Sequence, residues 1–579
     1  MVSVSGRKGA PSRRRGGARA FAEGAVRASA YLGCRHAGGN RHEVDMTRGR
    51  RTLLLAALLP LVFTVCPAAQ LVPRVRVAQG MLSGLRQGSV NVFLGVPYAA
   101  PPVGINRWRA PQPAQKWHGV RRATHFAPSC TQALAPQGFG PWSREYGVHG
   151  RTGENCLYLN IWAPAHVSRP VPVMVWIPGG AFISGSGSVP IYDGRHLAAR
   201  GIIVVTINYR LGLFGFFTDP ALVAEAKRLH EPPGNWGLQD MIGALRWVRR
   251  NIAAFGGNPH AVTIAGQSAG AIAVQELITS PPAAGLFARA IAESGLPNSR
   301  LPGSPRHMAS LAVAERTGEA FARSKGVKTL AGLRALPPKA LGVSASPMTS
   351  PLIMPIIDGT VLPAAPERLL ATGHFTHTPI LLGMNADENT GFRANPTTLS
   401  RAAWHAYLRK RFGALAPRFA RLFPAHSGRA RARAQRAVRR DLGLAALYQW
   451  GRLRLAHAAH TPIYAYLWTH VEPGPQAKRW RVFHSSEIPY VFQTLDAAPQ
   501  RHFTRLDRRI SRRMSRYWVN FVKTGNPNGP GLSHWPRLTR RAQRIMRLGA
   551  RAAPRPILPP RLLRAMRAFI AAGGTPQLY

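Results

Sequence analysis

The sequence predicts an α/β protein built on a mostly parallel central sheet with helices on both faces. Two continuous apolar runs, at residues 171–177 and 201–208, are typical of parallel strands that are buried on both faces. An amphipathic pattern over residues 238–255 indicates the next helix, and residues 261–265 form a further strand-like run. This alternation of strands and helices defines βαβ units, so we expect neighbouring strands to run parallel.

The chain begins with two segments that we expect to lie outside this fold. Residues 46–69 contain a basic start, a short apolar run and a small-residue exit, which are the parts of a secretory signal peptide. The apolar run is too short to span a bilayer. Residues 1–45 are rich in Arg and Gly, and we expect translation to start at Met46. The protein is therefore predicted to be secreted or periplasmic, by either the general or the twin-Arg export route.

Residues 70–579 are expected to form a single domain. Short apolar runs separated by Gly and Pro over residues 75–125 suit the strands and turns at the start of a sheet. Residues 300–350 and 400–460 are mostly helical in composition, and we expect them to be insertions over the carboxyl end of the sheet, where such folds bind ligands. The remaining predicted elements, two strands and a closing helix, are residues 378–383, 463–468 and 508–523.

The composition is that of a globular protein with an unusual charge balance. Apolar residues make up 45% of the chain and charged residues 17%, which excludes a disordered or coiled-coil protein. Lys and Arg number 77 against 23 Asp and Glu, so the formal net charge is +54. Such a charge favours adherence to acidic cell-surface polymers as a side property. No nucleic-acid motif accompanies the Arg-rich stretches, which are predicted to be helical, at residues 429–440, 505–516 and 537–547.

Two of the four cysteines, Cys34 and Cys66, precede the predicted mature chain. The other two, Cys130 and Cys156, are expected to form a disulfide, because an even pair in an exported chain favours one. Closing a loop of this length would stabilise the fold by roughly 3.5 kcal/mol on the chain-entropy model. Two separate buried thiols are the alternative, and no group of Cys and His has zinc spacing.

The main chemical signal is the segment Gly266-Gln267-Ser268-Ala269-Gly270. It fits the pattern Gly-x-Ser-x-Gly, whose small residues permit the sharp strand-to-helix turn that exposes a nucleophilic Ser. A β-branched run precedes the segment and a helix-forming run follows it, which is the setting that this chemistry requires. Ser268 is therefore the candidate nucleophile, and its acid and base should follow in the order Ser, then Asp or Glu, then His.

Five further segments make a family recognisable. In chain order they are Gly95-Val-Pro-Tyr-Ala-Ala-Pro-Pro-Val-Gly104, Glu154-Asn-Cys-Leu-Tyr-Leu-Asn-Ile-Trp162, Asn208-Tyr-Arg-Leu-Gly212, Gly234-Asn-Trp-Gly-Leu-Gln-Asp240 and Phe255-Gly-Gly-Asn-Pro259. With the Ser268 segment, they resemble the type-B carboxylesterase family, the relatives of the cholinesterases. The resemblance covers residues 77–536 and implies an α/β-hydrolase fold, helical insertions over the active site, and ester hydrolysis.

The expected acid is Glu388. A catalytic acid should leave the end of a strand, and Asp387-Glu388 closely follows the strand predicted at residues 378–383. This segment resembles the family segment in which the second acid of an Asp-Glu pair belongs to the triad. Asp387 is the alternative, with a loop-organising role as its other explanation. The family usually has Gly next, whereas this chain has Asn389, which also tolerates a left-handed backbone.

The expected base is His484. The segment Phe483-His484-Ser-Ser-Glu487-Ile-Pro-Tyr-Val-Phe492 resembles the segment that carries the family's catalytic His. His470 is the nearest alternative, but it ends a strand-like run and has no matching flank. Glu487 is expected to be structural and to bond backbone in the same loop.

Three backbone N–H groups are expected to bind the oxyanion, those of Gly180, Ala181 and Ala269. The loop Pro178-Gly-Gly-Ala181 follows the strand predicted at residues 171–177 and resembles the family's Gly-rich oxyanion loop. Each such donor can contribute roughly 3 kcal/mol to the transition state. The family more often has Gly at Ala181 and His or Tyr at Pro178, and an Ala donates equally well if its backbone angles are accessible. A plain Gly turn is the alternative.

These roles predict a carboxylic ester hydrolase that acts on a small-molecule ester without a metal or organic cofactor. His484 takes the proton of Ser268, Glu388 holds the imidazole tautomer, and an acyl-enzyme forms before water releases the acid. An inactive adhesion-type relative of the same fold is the alternative. Such relatives typically lack a triad member, whereas this chain has all three candidates.

The residue before the nucleophile bears on the substrate class. The family most often has Glu there, and in the cholinesterase relatives this carboxylate lies close to the bound cationic alcohol group. This chain has Gln267, which keeps the size and hydrogen bonding of Glu but has no charge. A unit charge near a partly desolvated site can be worth a few kcal/mol. We therefore expect a general carboxylesterase rather than a cholinesterase.

Overall fold

Within the part of the chain that the structure describes, the strands fall into one large sheet and two small ones. The computed structural model describes residues 72–135, 137–296, 308–342, 352–392 and 399–578. In chain order the strands are β1 (Arg74–Val77), β2 (Gly80–Ser83), β3 (Leu85–Gln87), β4 (Val90–Pro97), β5 (Val120–Arg122), β6 (Ser129–Cys130), β7 (Thr152–Gly153), β8 (Tyr158–Pro164), β9 (Val171–Ile177), β10 (Ile203–Ile207), β11 (Gly257–Gln267), β12 (Arg289–Glu293), β13 (Ile380–Asn385), β14 (Ile463–Trp468), β15 (Arg544–Leu548) and β16 (Ala553–Pro556).

The α-helices of the described residues lie between and after these strands, with a long helical stretch before β14. In chain order they are α1 (Arg195–Ala198), α2 (Gly212–Phe216), α3 (Pro220–Arg228), α4 (Trp236–Asn251), α5 (Ala269–Ile278), α6 (Leu311–Ser324), α7 (Leu330–Ala335), α8 (Pro338–Leu341), α9 (Pro366–Ala371), α10 (Arg401–Phe412), α11 (Ala416–Leu422), α12 (Gly428–His457), α13 (Ala477–Trp480), α14 (Ile488–Phe492), α15 (Arg505–Thr524) and α16 (Pro560–Ala571).

The large sheet has eleven strands in the order β16-β15-β14-β13-β12-β11-β9-β10-β8-β4-β3. The strands from β9 to β15 run parallel to their neighbours, while β3, β4 and β8 at one margin and β16 at the other pair antiparallel. The predicted βαβ rhythm accounts for the parallel centre, because each crossover returns the chain to the same edge of the sheet. This is the α/β-hydrolase architecture that the sequence predicts.

The central strands are apolar throughout because both faces of the sheet are covered. In β9, Val173, Val175 and Ile177 belong to the core on the side of α4 and α5. Met174 and Trp176 belong to a second core that includes α15. Successive strand residues point to opposite faces, so each core receives every second side chain. A strand such as β9, which is covered on both faces, therefore needs an apolar side chain at every position.

Helix α15 illustrates how local sequence signals set an element. Thr504 and Asp507 form a capping box at its start, and Gly525 ends it with a φ of 76°. Its buried side chains join the second core at helical spacing and are Ile510, Met514, Tyr517, Trp518 and Phe521. The remaining face carries Arg residues. The helix thus separates an apolar face that packs on the sheet from a basic face that meets solvent.

Two expectations for the C-terminal region are wrong. The helix predicted at residues 508–523 is α15, but it does not close the chain, because β15, β16 and α16 follow it. Part of the sheet margin thus comes from short strands with weak apolar signals. The Arg-rich stretch at residues 537–547 is not helical and leads into β15. Arg side chains are compatible with any exposed backbone conformation. A run of Arg therefore has no apolar periodicity that could distinguish a helix from a strand.

The two predicted helical insertions behave differently. The described part of the first contains α6, α7 and α8, and Leu341 at the end of α8 lines the large cavity described below. The second contains α10, α11 and α12, and α12 packs against α9, β13 and α16. None of the described residues between 400 and 460 lines that cavity. The second insertion therefore extends the core on one side of the sheet.

The predicted N-terminal extension and signal peptide lie outside the described residues, so their boundaries stay predictions. The part of the chain from Ala69 onward is one compact unit. Within the described ranges, no helix combines the length and apolarity that a membrane span would need.

Candidate active site

The carboxyl ends of the central strands meet at one edge of the sheet. Gln267 at the end of β11 is in register with Glu293 of β12, and Glu293 is in register with Gly383 of β13. On the other side of β11, Gly266 is in register with Ile177, the last residue of β9. The loops that follow β9, β11 and β13 therefore emerge side by side, and they carry the candidate oxyanion donors, nucleophile and acid.

Ser268 is the single residue between the end of β11 and the start of α5. Its φ of 58° and ψ of −125° are unusual for a residue with a side chain. The turn is possible because two glycines leave room for a close crossing. A Cβ atom on Gly266 would lie 2.6 Å from the backbone of Gly270, and one on Gly270 would lie 2.0 Å from the carbonyl oxygen of Ile177. This is the setting that the Gly-x-Ser-x-Gly pattern predicts for a nucleophile.

His484 and Glu388 form a buried pair. The imidazole Nδ1 lies 2.5 Å from Glu388 Oε2, and both residues are 2% exposed. The second carboxylate oxygen, Oε1, accepts a hydrogen bond of 2.7 Å from the backbone N–H of Asn385. Glu388 is thus held by the end of β13 and in turn orients the imidazole. His484 also lines the same cavity as Ser268.

The turn that holds Glu388 does not use a left-handed residue. Residues Glu388–Thr390 form a 3-10 turn, and Asn389 is not among the residues with positive φ. Asn389 therefore needs no special backbone freedom here. Asp387 is directed away from the imidazole: its carboxylate lies 3.3 Å from Nε of Arg481 and accepts from the N–H of Val482.

The alternative base is placed in a different part of the fold. His470 Nε2 lies 2.6 Å from Asp507 Oδ1 at the start of α15, and Tyr490 donates to the same oxygen. His470 does not line the cavity. The structure therefore brings His484, rather than His470, to the edge of the sheet where Ser268 lies.

Glu487 is buried behind His484 and links two neighbouring strands. Ser294 donates to Oε1 of Glu487 at 3.2 Å, and Asn385 donates to Oε2 at 2.5 Å. These partners are side chains that follow β12 or end β13, and the backbone N–H of Glu487 itself supplies the bond within its own loop that was expected. Burial, with the nearby Glu388 carboxylate, raises the pKa of Glu487 to about 7.

The candidate oxyanion donors come from two loops. Gly180 and Ala181 follow β9 with φ of 115° and 57°, and Ala269 is the first residue of α5. Within the described residues, none of these three N–H groups has a protein acceptor. The loop is anchored by Tyr209, which donates to the carbonyl oxygen of Pro178 at 2.9 Å. Ala181 adopts this left-handed φ although it is not a glycine.

One cavity of about 410 Å³ contains Ser268, Gln267 and His484. Its walls are mainly apolar and aromatic, and none of the described residues that line it is an Asp, Glu, Lys or Arg. Burial raises the pKa of Tyr146 and of Tyr192, so both phenols in the wall stay neutral. The cavity is therefore uncharged although the chain carries a net charge of +54.

Sequence reasoning missed the aromatic wall beside His484. The ring of Phe392 lies 5.1 Å from the imidazole and 5.2 Å from the ring of Trp142. Trp142 also donates through Nε1 to the carbonyl oxygen of His484 at 3.1 Å. The only sequence signal was an aromatic cluster within the loop that the two cysteines bracket.

That loop is closed as expected. Cys130 and Cys156 form a disulfide with an S–S distance of 2.02 Å and a sequence separation of 26. The segment between them supplies one whole wall of the cavity, with these lining residues: Thr131, Gln132, Ala133, Leu134, Ala135, Gly138, Phe139, Trp142, Tyr146, Gly147 and Val148. The disulfide thus constrains the cavity as well as the fold.

A search of the described ranges for three or more His, Cys, Asp or Glu side chains arranged to hold a metal ion finds none. The chemistry that the residues of this site can perform is nucleophilic attack by an alcohol, assisted by an imidazole base and backbone N–H donors.

The chain is similar to known proteins over most of its length. A family model described as the Carboxylesterase family matches residues 72–556, which reaches past Pro536 and includes β15 and β16. The chain is 38% identical over 486 residues to fumonisin B1 esterase of Sphingopyxis macrogoltabida, with 81% of this chain and 85% of that protein covered. It is 34% identical to para-nitrobenzyl esterase of Bacillus subtilis (strain 168), with 79% and 91% covered.

Two more comparisons agree with these. The chain is 34% identical to human cocaine esterase, with 77% of this chain and 81% of that protein covered. A solved structure titled PNB esterase superimposes with a TM-score of 0.67 and 31% identity, and the match covers 85% of this chain and 99% of that chain. The likeness therefore extends over the whole fold and is not confined to the Ser268 segment.

Proposed function

The chain belongs to the type-B carboxylesterase family, and on that premise we propose that it hydrolyses neutral carboxylic esters through an acyl-enzyme on Ser268. His484 is the base and Glu388 the acid of the triad. The observation that carries this proposal is the buried His484–Glu388 pair, with its 2.5 Å contact, at the edge of the sheet where Ser268 lines the cavity.

The proposed reaction follows from the donors and acceptors of the pair. A carboxylate only accepts, so Nδ1 of His484 carries a proton and Nε2 presents a lone pair. Nε2 removes the proton of Ser268 as its Oγ attacks the ester carbonyl, and the imidazolium then protonates the leaving alcohol. A water molecule, deprotonated by the same imidazole, releases the acid and restores Ser268.

The negative charge that develops on the carbonyl oxygen needs donors. Among the residues that the structure describes, the N–H groups of Gly180, Ala181 and Ala269 have no acceptor, and they flank Ser268 on both sides along the chain's fold. Fixed donors of this kind stabilise the tetrahedral intermediate because they need no reorganisation during the reaction. The positive φ of Ala181 is the conformational cost of presenting one of them.

The substrate class rests on the charge of the cavity. Gln267 is neutral where the resembled family most often has Glu, and the described wall carries no charged side chain. A cationic alcohol group would lose its hydration in this cavity without gaining an anionic partner. We therefore assign a neutral ester as the substrate, which makes the protein a general carboxylesterase rather than a cholinesterase.

The test compares the wild type and Ser268→Ala on a choline ester and on its neutral carbon isostere. We expect a kcat/KM ratio of about one or below for the choline ester over the isostere, and a loss of at least roughly 10⁴-fold in both activities for Ser268→Ala. A fluorophosphonate probe should label Ser268 in the wild type. A ratio far above one would overturn the neutral-substrate assignment, and a much smaller loss of activity in Ser268→Ala would remove Ser268 from its role.

The same labelling decides against the inactive adhesion-type alternative, which predicts no labelled Ser. Export through the segment at residues 46–69 belongs to the proposal, and the Cys130–Cys156 disulfide supports it because structural disulfides persist in oxidising compartments. Acyl esters of graded chain length would then define the acyl group that the cavity accepts.

A further inference from the structure

Gln267 is in direct contact with the candidate base. Its side chain is buried, and its amide Nε2 lies 3.1 Å from Nε2 of His484. The other ring nitrogen, Nδ1, lies 2.5 Å from Glu388. The amide oxygen of Gln267 faces Gly179. It lies 3.2 Å from the position that a Cβ atom on Gly179 would take. The imidazole is therefore held between a carboxylate and an amide.

The chemistry of these atoms sets the direction of the hydrogen bond. Glu388 accepts from Nδ1, so in the neutral imidazole Nε2 has a lone pair and no hydrogen. The NH₂ group of Gln267 can only donate, so it donates to that lone pair. A protonated imidazole would direct an N–H toward the N–H of the amide. The contact with Gln267 consequently favours the neutral imidazole, which is the form that can accept a proton.

We propose that Gln267 is a positioning residue that keeps the base nitrogen of His484 unprotonated in the resting enzyme and releases it during the reaction. This inference rests on the proposed function, in which Nε2 receives the Ser268 proton. When that proton moves, the Oγ–H bond of Ser268 breaks and an Nε2–H bond forms. The lone pair on Nε2 of His484, which accepted from Gln267, then forms the new N–H bond. The amide of Gln267 therefore has to turn its N–H away or offer its oxygen as an acceptor.

Two carboxyl groups already face His484, so a substitution that adds a third at position 267 should alter the protonation of the imidazole. Glu388 follows β13 and Glu487 precedes α14, and both carboxyl groups act on the imidazole. The packed rings of Trp142 and Phe392 are neutral. A Glu at position 267 would add a third carboxyl, from β11, against Nε2. A carboxylate within hydrogen-bond distance of an imidazole raises the pKa of the imidazole by about one unit or more.

The experiment measures the rate at which a fluorophosphonate labels Ser268 as a function of pH, because labelling requires the unprotonated base. Gln267→Met removes the donor, and we expect it to raise the half-maximal pH of labelling by roughly 0.4–1 unit. This shift corresponds to the net free energy of one neutral hydrogen bond. Gln267→Glu should raise it by more than Gln267→Met does. Gln275→Met is the matched control, because Gln275 is a buried glutamine of α5 that does not line the cavity.

The outcomes separate this inference from the proposed function. An unchanged half-maximal pH in Gln267→Met, or an equal rise in Gln275→Met, overturns the role of Gln267 while leaving the nucleophile in place. A Gln267→Glu variant that labels with the wild-type pH profile overturns it as well. Absence of Ser268 labelling in the wild type at every pH would instead contradict the proposed function itself.

Discussion

At the scale of single residues, the site depends on backbone conformations that only a surrounding fold can hold. Ser268 and Ala181 both have positive φ, and each presents a group that the proposed reaction needs. Conformations of this kind cost free energy and persist only where the neighbouring structure determines them. Here the tight crossing of Gly266 and Gly270 against β9 provides that support.

The two adjacent acids give a residue-scale prediction with its own control. We expect Glu388→Gln to lower kcat by roughly 10⁴-fold, because an amide cannot hold the required imidazole tautomer. Asp387→Asn should stay within about tenfold of the wild type, because its carboxylate faces the half-exposed Arg481 and does not contact the imidazole. Steady-state kinetics on a neutral ester, with circular dichroism to check folding, makes the comparison. A larger loss in Asp387→Asn would reassign the acid.

At the scale of elements, the loop between Cys130 and Cys156 determines the shape of the cavity. Besides the disulfide, it is held by Arg501, which contacts Glu145 at 2.7 Å and donates to the carbonyl oxygen of Pro141. Trp142 joins the loop to the backbone of His484. The loop is thus fixed at its base by a covalent bond and near its middle by buried polar contacts.

Removing the disulfide should therefore affect substrate binding and stability together. For the double variant Cys130→Ser with Cys156→Ser, we expect a loss of roughly 3.5 kcal/mol in the free energy of unfolding. We also expect a several-fold rise in KM with a smaller change in kcat, because the loop forms a cavity wall while Ser268 and Glu388 lie on other elements. Thermal unfolding with and without reductant checks this: only the wild type should respond to reductant. An unchanged KM would show that the wall keeps its shape without the bond.

At the scale of the whole molecule, charge is unevenly distributed. The exposed face of α15 carries Arg505, Arg508, Arg509, Arg512 and Arg516, whereas the described lining of the cavity has no charged side chain. The net charge of the protein therefore describes its surface, and it does not describe the site where the substrate would bind. Adherence to acidic polymers through such a face remains a prediction of the sequence.

Global stability should depend on pH through a buried carboxyl group. Arg501 lies between Glu145, at 2.7 Å, and Glu472, at 3.4 Å. Burial raises the pKa of Glu472 to about 8, although Arg501 acts in the opposite direction. The folded state then binds a proton that the unfolded state has lost, so this contribution to stability is complete below about pH 4.5 and is lost as the pH rises toward 8.

The variant Glu472→Gln tests this dependence because an amide resembles the neutral carboxyl. We expect the Tm of the variant to fall less than that of the wild type between pH 5 and 8. The difference between the two Tm values should therefore grow in favour of the variant as the pH rises. Thermal unfolding followed by circular dichroism at several pH values provides the measurement. Parallel curves for the two proteins would contradict the raised pKa.

The class of fold and the candidates for the site could both be predicted from local sequence patterns. The strands β9 and β14 are the predicted apolar runs, because a strand covered on both faces needs an apolar residue at every position. The elbow around Ser268 is likewise local, since two glycines and a β-branched run suffice to specify it. The candidate acid and base were predicted from their flanking segments, and the structure places His484 and Glu388 within 2.5 Å of each other.

The surroundings of those residues depend on the three-dimensional fold and could not be predicted in the same way. The order of the strands, the place of β15 and β16, and the absence of the second insertion from the cavity depend on contacts between distant parts of the chain. The contact of Gln267 with His484 joins residues 217 positions apart. That of Trp142 with His484 joins residues 342 positions apart. Local periodicity carries no information about such pairs, because they follow from how the sheet and its loops pack together.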